Sequence, residues 1–228
     1  MARELASSET APFWVVAHRQ DAGRGRLGRR WVSEPGNLYA TLCLRDPADA
    51  EHLGSLGLVV GLGLRRALSR FVPSTELRLK WPNDVMLRGA KVAGVLLETF
   101  ATPTGRHVTI GCGINCAHHP RDTLHAATDL AAAGFPLTPD ALFPSVREDV
   151  ENAVRDWGRG SRFAALRDEW LASAHGLGDR AVVRVPNGTI EGIVETIDES
   201  GQLVLTSGPR RERISAGDLH ITRLQTAE

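Results

Sequence analysis

Hydrophobic and polar positions along the chain predict alternating strands and helices over residues 1–175. The segment 52–71 is apolar on most faces and predicts a buried helix. Thr138, followed by Pro139, predicts the start of another helix, and 2–7 and 161–174 are also helical in pattern. We therefore expect an α+β fold, a mixed β-sheet flanked by helices. Period-two alternation or short apolar runs predict its strands at 13–17, 37–44, 77–81, 85–87, 92–98 and 107–114.

The pattern changes at the glycines of 176–178. Beyond them come short strands separated by turn residues, at 181–186, 190–197, 202–206, 212–215 and 219–222. This spacing is typical of a small β-barrel. We therefore expect a first domain over 1–175 and a small C-terminal β-barrel domain over 176–228. Within the first domain, the segment 88–90 predicts a glycine-containing hairpin turn.

Charge and cysteine content narrow the class of protein. The chain has 27 Lys plus Arg and 27 Asp plus Glu, so it has no general basic surface for nucleic acid or membranes. Three cysteines, Cys43, Cys112 and Cys116, favour free thiols and the cytoplasm. The N-terminal segment lacks a secretory pattern, and the longest apolar run, 53–64, is too short to span a bilayer. Any anion binding must therefore come from local clusters.

One such cluster is the segment 20–31 (QDAGRGRLGRRW), called the glycine–arginine loop below. Four arginines lie among three glycines, so the segment cannot be buried without partners for its charges. Glycine lets backbone N–H groups approach an anion, and arginine offers forked donors to carboxylate or phosphate. We expect the loop to be mobile until an anion neutralises it.

Three other interpretations of this loop compete with anion binding. It is also compatible with a solvated surface loop. A single-stranded nucleic-acid segment of the arginine–glycine type is disfavoured, because the motif occurs once and the net charge is zero. Gly23-x-Gly25-x-x-Gly28 fits a dinucleotide fingerprint, but a helix should follow Gly28 and residues 31–36 instead lead into a strand. That interpretation is rejected.

The segment 80–84 (KWPND) closes one predicted strand and turns into the next. Asn83 and Asp84 offer oxygen ligands suited to Mg²⁺, and Lys91 follows on the return strand. Together with Lys80 they predict a phosphate and magnesium site. The alternative is ordinary turn chemistry after Pro82.

The segment 110–115 (IGCGIN) places glycines inside a strand, where they mark the close approach of a ligand or another backbone, or a β-bulge. Cys112, Cys116, His118 and His119 have metal-ligand chemistry. Their spacing is not a recognised zinc pattern, however, and buried inert thiols are favoured.

The segments GRGRLGRRW, KWPNDV, GAKVAGVLLE and IGCGIN, in this order and followed by a β-rich tail, resemble the biotin–protein ligase family in its short form without a DNA-binding domain. The resemblance covers nearly the whole chain. It implies a class II synthetase-like catalytic domain with a small barrel. It also implies ATP and Mg²⁺ as cofactors and biotin as substrate. Biotinyl-5'-AMP would form first, and biotin would pass to a lysine of a biotin carboxyl carrier protein. A monomer or homodimer without nucleic-acid or membrane partners is expected.

The resemblance also implies roles for individual residues. Lys91, Arg24 and Arg26 are the expected catalytic residues, and Trp31 is expected to cover the adenine. Asp84, with Asn83, is expected to hold Mg²⁺. The expected biotin- and adenylate-binding residues are Gln20, Gly23, Arg24, Gly25, Arg26, Trp31, Lys80, Asn83, Lys91, Gly94, Leu96, Gly113 and Asn115.

The chemistry of these residues suits that task. A carboxylate must attack the α-phosphate of ATP, so two anions must meet, and preorganised cations lower that barrier. We therefore expect Arg24, Arg26 and Lys91 to converge on one pocket. The loop over 23–30 is expected to order on ligand binding and shield the mixed anhydride from water.

Two alternatives stay open. The family usually has an upstream strand and a Ser-Thr-Asn loop that holds the biotin ureido ring, whereas this sequence starts at Met1 inside the helix that follows. Either the start is assigned too late or that part of the pocket is missing. A truncated, non-catalytic module that binds biotin or the carrier is therefore one alternative. The other is a lipoate or octanoate ligase, against which the glycine–arginine loop and KWPND segment argue.

Overall fold

The computed structural model describes residues 1–103, 105–121 and 126–222. Its larger sheet has six strands in the order β1-β2-β6-β5-β4-β3, and all neighbouring pairs are antiparallel. The predicted sheet was mixed. In the described ranges, parallel pairing occurs at two single bridges, Leu79–Ala174 and Lys91–Ala127. The strands are β1 (Phe13–Ala17), β2 (Leu38–Arg45), β3 (Leu77–Lys80), β4 (Asp84–Leu87), β5 (Ala90–Thr102) and β6 (Gly105–Ile114).

Helices cover one face of this sheet. They are α2 (Leu53–Leu68), α3 (Pro139–Trp157) and α4 (Phe163–Ala172). The short helix α1 (Ala2–Leu5) lies on the other side, where Arg3 donates to Glu98 of β5 (3.1 Å). The Thr138 hydroxyl accepts a hydrogen bond from the Ala141 N–H (3.3 Å), which confirms the predicted cap of α3. Helix α2 packs on β3, β4 and β5, and α3 packs on α2 and β2. These helices bury the apolar side chains of every second strand position, so the alternate positions face the opposite side of the sheet.

Two turns place the strands that matter for the site. The turn between β4 and β5 has Arg88 and Gly89 at positive φ (50° and 81°), which confirms the predicted hairpin. Strand β5 then runs antiparallel to β6, with Gly94 opposite Gly113 and Leu96 opposite Gly111. The absence of side chains at these glycines opens a depression on the face away from the helices.

The C-terminal strands form a second antiparallel sheet, in the order β10-β9-β8-β7-β11. The predicted small sheet domain is confirmed, but the prediction of a closed barrel is wrong. Within 126–222 no pairing joins the outer strands β10 and β11, because each is short and pairs on one side only. The strands are β7 (Arg180–Val185), β8 (Gly188–Ile197), β9 (Leu203–Ser207), β10 (Arg210–Ile214) and β11 (Asp218–Ile221).

One hydrophobic core extends through both sheets, from the α2 leucines to Val183 and Leu219. Across the contact, the buried Trp81 indole N–H donates to Gly201 O (3.1 Å). The Arg167 guanidinium donates to Ile197 O (2.7 Å). The division at 175/176 lies between α4 and β7 and stays a prediction. Among the described residues, no helix is long and apolar enough to cross a membrane.

Candidate active site

A cavity of about 650 Å³ lies on the face of the large sheet that the helices leave uncovered. The glycine–arginine loop forms one wall, β2, β5 and β6 form the floor, and Asp218 of the C-terminal sheet lies at the rim. Most of the residues predicted to bind ligand line this cavity. They are Gln20, Arg24, Gly25, Arg26, Trp31, Asn83, Asp84, Lys91, Gly94, Leu96, Gly113 and Asn115.

Two predicted residues, Gly23 and Lys80, lie behind the cavity wall. A Cβ at Gly23 would come within 2.4 Å of Trp31 O and 2.5 Å of Ser33 Oγ, so glycine is needed for the loop to close on itself. Lys80 is 6% exposed, and burial lowers the pKa of its ammonium group, although Asp84 acts in the opposite direction. Direct contact of either residue with ligand stays a prediction.

The glycine–arginine loop is a small hairpin with its own backbone hydrogen bonds. Gly25 N donates to Arg29 O (2.7 Å), and Trp31 N donates to Gly23 O (2.9 Å). Leu27, at the tip, has a left-handed backbone (φ 56°) and a side chain that is 69% exposed. The hairpin therefore presents its arginine side chains around a fixed backbone turn.

Two of these arginines are paired with acidic residues of the chain. Arg24 Nη2 lies 3.7 Å from Glu98 Oε1 on β5, and Arg29 Nη2 lies 2.5 Å from Asp218 Oδ2 on β11. Neither acid is among the residues predicted to form the site. Glu98 ends the GAKVAGVLLE segment and could have been noticed there, whereas nothing local marks Asp218.

Arg26 lies deeper than its neighbours. Its Nη1 donates to Gly217 O (3.0 Å) and lies 3.5 Å from Asn83 Oδ1. Burial lowers the pKa of this guanidinium, while the carboxylates of Asp84 and Asp218 act in the opposite direction. A shielded cation that keeps its charge in this way interacts more strongly with an anion than one in open water.

Lys91 lies at the centre of the cavity floor. Its Nζ is 2.5 Å from Asp84 Oδ1 and 5.3 Å from the centre of the Trp31 ring. Its backbone is held by hydrogen bonds to Ala126 O (2.8 Å) and from Thr128 N (2.9 Å). Lys91 and Lys80 are the two lysines of the sequence, and both lie at this site.

Trp31 lies across the two glycines of β5 and β6. A Cβ at Gly113 would be 2.7 Å from two ring atoms of Trp31, and one at Gly94 would be 3.4 Å from the ring. The strand glycines do mark a close approach, but the group that approaches is this indole side chain, whereas a ligand or another backbone was predicted. The Trp31 Nε1 is buried against Gly113 and has no hydrogen-bond partner among the described residues.

The oxygen atoms predicted to hold Mg²⁺ fit that ion. The Asn83 amide donates to Val95 O (2.6 Å), which fixes its orientation. The buried Asp84 Oδ1 is ion-paired with Lys91 and accepts no hydrogen bond from the described residues. One carboxylate and one amide oxygen are a typical protein contribution to Mg²⁺, which takes its other ligands from phosphates and water.

The cysteines are buried, as predicted for inert thiols. Burial raises the pKa of Cys112 to about 12 and that of Cys116 to about 11. His119 Nδ1 lies 2.5 Å from Asp129 Oδ2 instead of facing the thiols. Within 1–103, 105–121 and 126–222, no three His, Cys, Asp or Glu residues are grouped to hold a metal ion.

Residues 3–115 match the Biotin/lipoate A/B protein ligase family, and residues 177–219 match the Biotin protein ligase C terminal domain. The chain is also 36% identical to a biotin–acetyl-CoA-carboxylase ligase of Paracoccus denitrificans, over 96% of this chain and 94% of that protein. The chain belongs to the biotin/lipoate ligase family. The resemblance drawn from the sequence motifs is thereby confirmed.

Two further family members support this assignment. A biotin–acetyl-CoA-carboxylase ligase of Mycobacterium tuberculosis is 31% identical, over 96% of this chain and 82% of that protein. Among solved structures, the biotin protein ligase from Aquifex aeolicus in complex with biotin and ATP superposes with a TM-score of 0.81 at 26% identity. That superposition covers 98% of this chain and 95% of that one. The α+β fold is therefore that of biotin/lipoate ligases.

Proposed function

We propose that this chain is a biotin–protein ligase that makes biotinyl-5'-AMP from biotin and ATP and then transfers biotin to a lysine of a carrier protein. The observation that carries the proposal is the convergence of Arg24, Arg26 and Lys91 on one cavity. The ligases of Paracoccus and Mycobacterium and the biotin- and ATP-bound Aquifex structure support it.

In the first half-reaction, a biotin carboxylate oxygen attacks the α-phosphorus of ATP, and the bond to pyrophosphate breaks. Two anions approach each other in this step, so fixed positive charge where they meet lowers the barrier. Lys91 is suited to that place, because Asp84 and the backbone contacts to residues 126 and 128 fix its position. Arg26 of the glycine–arginine loop adds a second, shielded positive charge near Asn83 and Asp84.

ATP would arrive with Mg²⁺, and Asp84 and Asn83 would hold the ion. When bound, it supplies positive charge to the leaving pyrophosphate. The Asp84 carboxylate also forms the ion pair that holds Lys91 in place, so this residue is proposed to serve both groups.

In the second half-reaction, the amine of the acceptor lysine attacks the acyl carbon, and AMP leaves with its phosphate oxygen. The acyl-adenylate would hydrolyse in open water, so the cavity must exclude it. The Trp31 ring and the hairpin of the glycine–arginine loop are proposed to cover the intermediate. The exposed Leu27 and the arginines around it, at the mouth of the cavity, are proposed to contact the carrier.

The acceptor is proposed to be the biotin carboxyl carrier protein of acetyl-CoA carboxylase or of a related carboxylase, acting in the cytoplasm. The names of the Paracoccus and Mycobacterium relatives support this choice. The three free cysteines agree with a reducing compartment.

Exchange of labelled pyrophosphate into ATP tests the first step. We expect exchange that depends on biotin and does not occur with lipoate or octanoate. Exchange with lipoate or octanoate alone would identify a ligase for those acids. No exchange from a folded protein that binds biotin would identify a binding module.

Streptavidin blotting of a carrier domain tests the second step. We expect biotin to appear on the wild-type carrier domain. A carrier whose acceptor lysine is replaced by arginine serves as the control and should stay unlabelled.

A further inference from the structure

The C-terminal sheet reaches into the site through Gly217 and Asp218, two consecutive residues. Asp218 Oδ2 pairs with Arg29 Nη2 at 2.5 Å, and Gly217 O accepts a hydrogen bond from Arg26 Nη1 at 3.0 Å. Both arginines belong to the glycine–arginine loop. The loop hairpin is therefore attached to the C-terminal sheet at two adjacent points.

We infer that Asp218 is a positioning residue for adenylate formation, which holds the glycine–arginine loop against the cavity through Arg29. This inference rests on the proposed function. It assigns a task to the C-terminal sheet that neither the sequence motifs nor the cavity floor requires.

The attachment point on the sheet is rigid. Asp218 begins β11 and lies opposite Arg184 of β7. A Cβ at Gly217 would meet Val183 Cγ1 at 2.6 Å and Arg184 O at 2.9 Å, so this residue is packed directly on β7. Movement of Asp218 away from the loop would therefore require the whole sheet edge to shift.

The ion pair is also better shielded than most on the surface. Asp218 is 16% exposed, whereas Arg29 is 48% exposed. An exposed pair contributes little because water screens it, but a carboxylate with little access to water interacts more strongly with its partner. The pair therefore holds the loop more firmly than an ion pair in open solvent would.

Asp218 further balances the charge of the site. Arg26, Arg29 and Lys80 lie near one another, and Asp84 is already paired with Lys91. Without the second carboxylate, repulsion among the cations would favour loop conformations directed away from the cavity. Ligand would then have to restore the loop on binding. The apparent affinity would equal the intrinsic affinity multiplied by the fraction of molecules with the loop in place.

The test is the kinetics of biotin-dependent pyrophosphate exchange in Asp218→Asn, Arg29→Gln and the double variant. We expect Asp218→Asn to raise KM for ATP about tenfold, with kcat changed less than about twofold, because ligand binding restores the loop. Asp218→Glu should recover much of the loss. The double variant should be no worse than the worse single variant, since both remove the same contact.

Glu195→Gln is the matched control. It breaks the pair of Glu195 with Arg211, in the same sheet but away from the cavity, and should leave both constants unchanged. Additive effects in the double variant, or wild-type constants in Asp218→Asn, would overturn the inference. A fall in melting temperature that accounts for the whole loss would do so as well. A wild-type protein without exchange would instead refute the proposed function.

Discussion

At the scale of single residues, Lys91 is the most constrained side chain of the site. It is ion-paired to Asp84, lies beside the Trp31 ring and has its backbone bonded on both sides. A buried carboxylate without its partner is costly, so the side chain that replaces lysine should still donate a hydrogen bond to Asp84.

Lys91→Gln is therefore the informative substitution. We expect biotin-dependent exchange to fall by roughly 100-fold or more, since one fixed charge at the reacting oxygens is lost. The melting temperature should change little, because the amide still reaches Asp84. A large loss of stability with activity lost in proportion would make Lys91 a structural residue.

Gly113 is constrained by the Trp31 ring. Gly113→Ala places a methyl group 2.7 Å from the ring, so the indole must move. We expect kcat/KM for exchange to fall roughly 10- to 100-fold. Gly111→Ala, whose methyl group would make ordinary contacts at 3.7 and 3.9 Å, should cause a smaller loss. Equal losses in the two variants would show that the ring position is unimportant.

Most of the site was predictable from sequence, because its motifs occupy strand ends that the antiparallel order brings together. Asn83, Lys91 and Gly113 lie on adjacent strands β4, β5 and β6 or on the turn before them. The role of Asp218 was not predictable, since its contact with Arg29 spans 189 positions and its segment carries no motif. Contacts of that kind depend on how the two sheets pack.

At the scale of elements, the close packing of α2 on α3 depends on Gly63. A Cβ there would lie 2.8 Å from Val150 Cα and 3.0 Å from Asp149 O, and backbone atoms cannot yield as a side chain can. Gly57, in the same helix, has nothing within 4 Å of its added Cβ. The two glycines therefore form a matched pair.

Urea unfolding measures the difference between them. We expect Gly63→Ala to lower the free energy of unfolding by about 1–3 kcal/mol, because the helices must separate. Gly57→Ala should raise it by about 0.5–1 kcal/mol, since alanine is the better helix former. The same sign of change in both variants would contradict the packing described for α2 and α3.

The helices and strands followed the hydrophobic pattern closely. The wrong prediction was that the C-terminal sheet closes into a barrel. Five short strands with turns predict a small β domain, but the pattern of one strand does not specify which strands meet at the edges. Strand β11 pairs with β7, and β10 with β9, so the sheet stays open within the described residues.

At the scale of the whole molecule, the two sheets share a core and should unfold together. All five tryptophans, Trp14, Trp31, Trp81, Trp157 and Trp170, precede the C-terminal sheet. Their fluorescence therefore reports the first region and, through Trp81, its contact with Gly201, whereas far-UV circular dichroism reports both sheets. We expect the two urea transitions to coincide. Two separated midpoints would show that the Trp81–Gly201 and Arg167–Ile197 contacts do not couple the sheets.

The placement of the lysines affects how readily the acyl-adenylate can acylate the protein that makes it. An escaped acyl-adenylate modifies whichever free amine it meets, and side-chain amines of a ligase would be the nearest targets. Here Lys80 is buried and Lys91 is ion-paired with Asp84. The other side chains counted among the 27 Lys plus Arg are arginines. Guanidinium stays protonated and is a poor nucleophile at neutral pH. The side chains of the protein thus offer few amines to leaked intermediate, which remains for the carrier or for water.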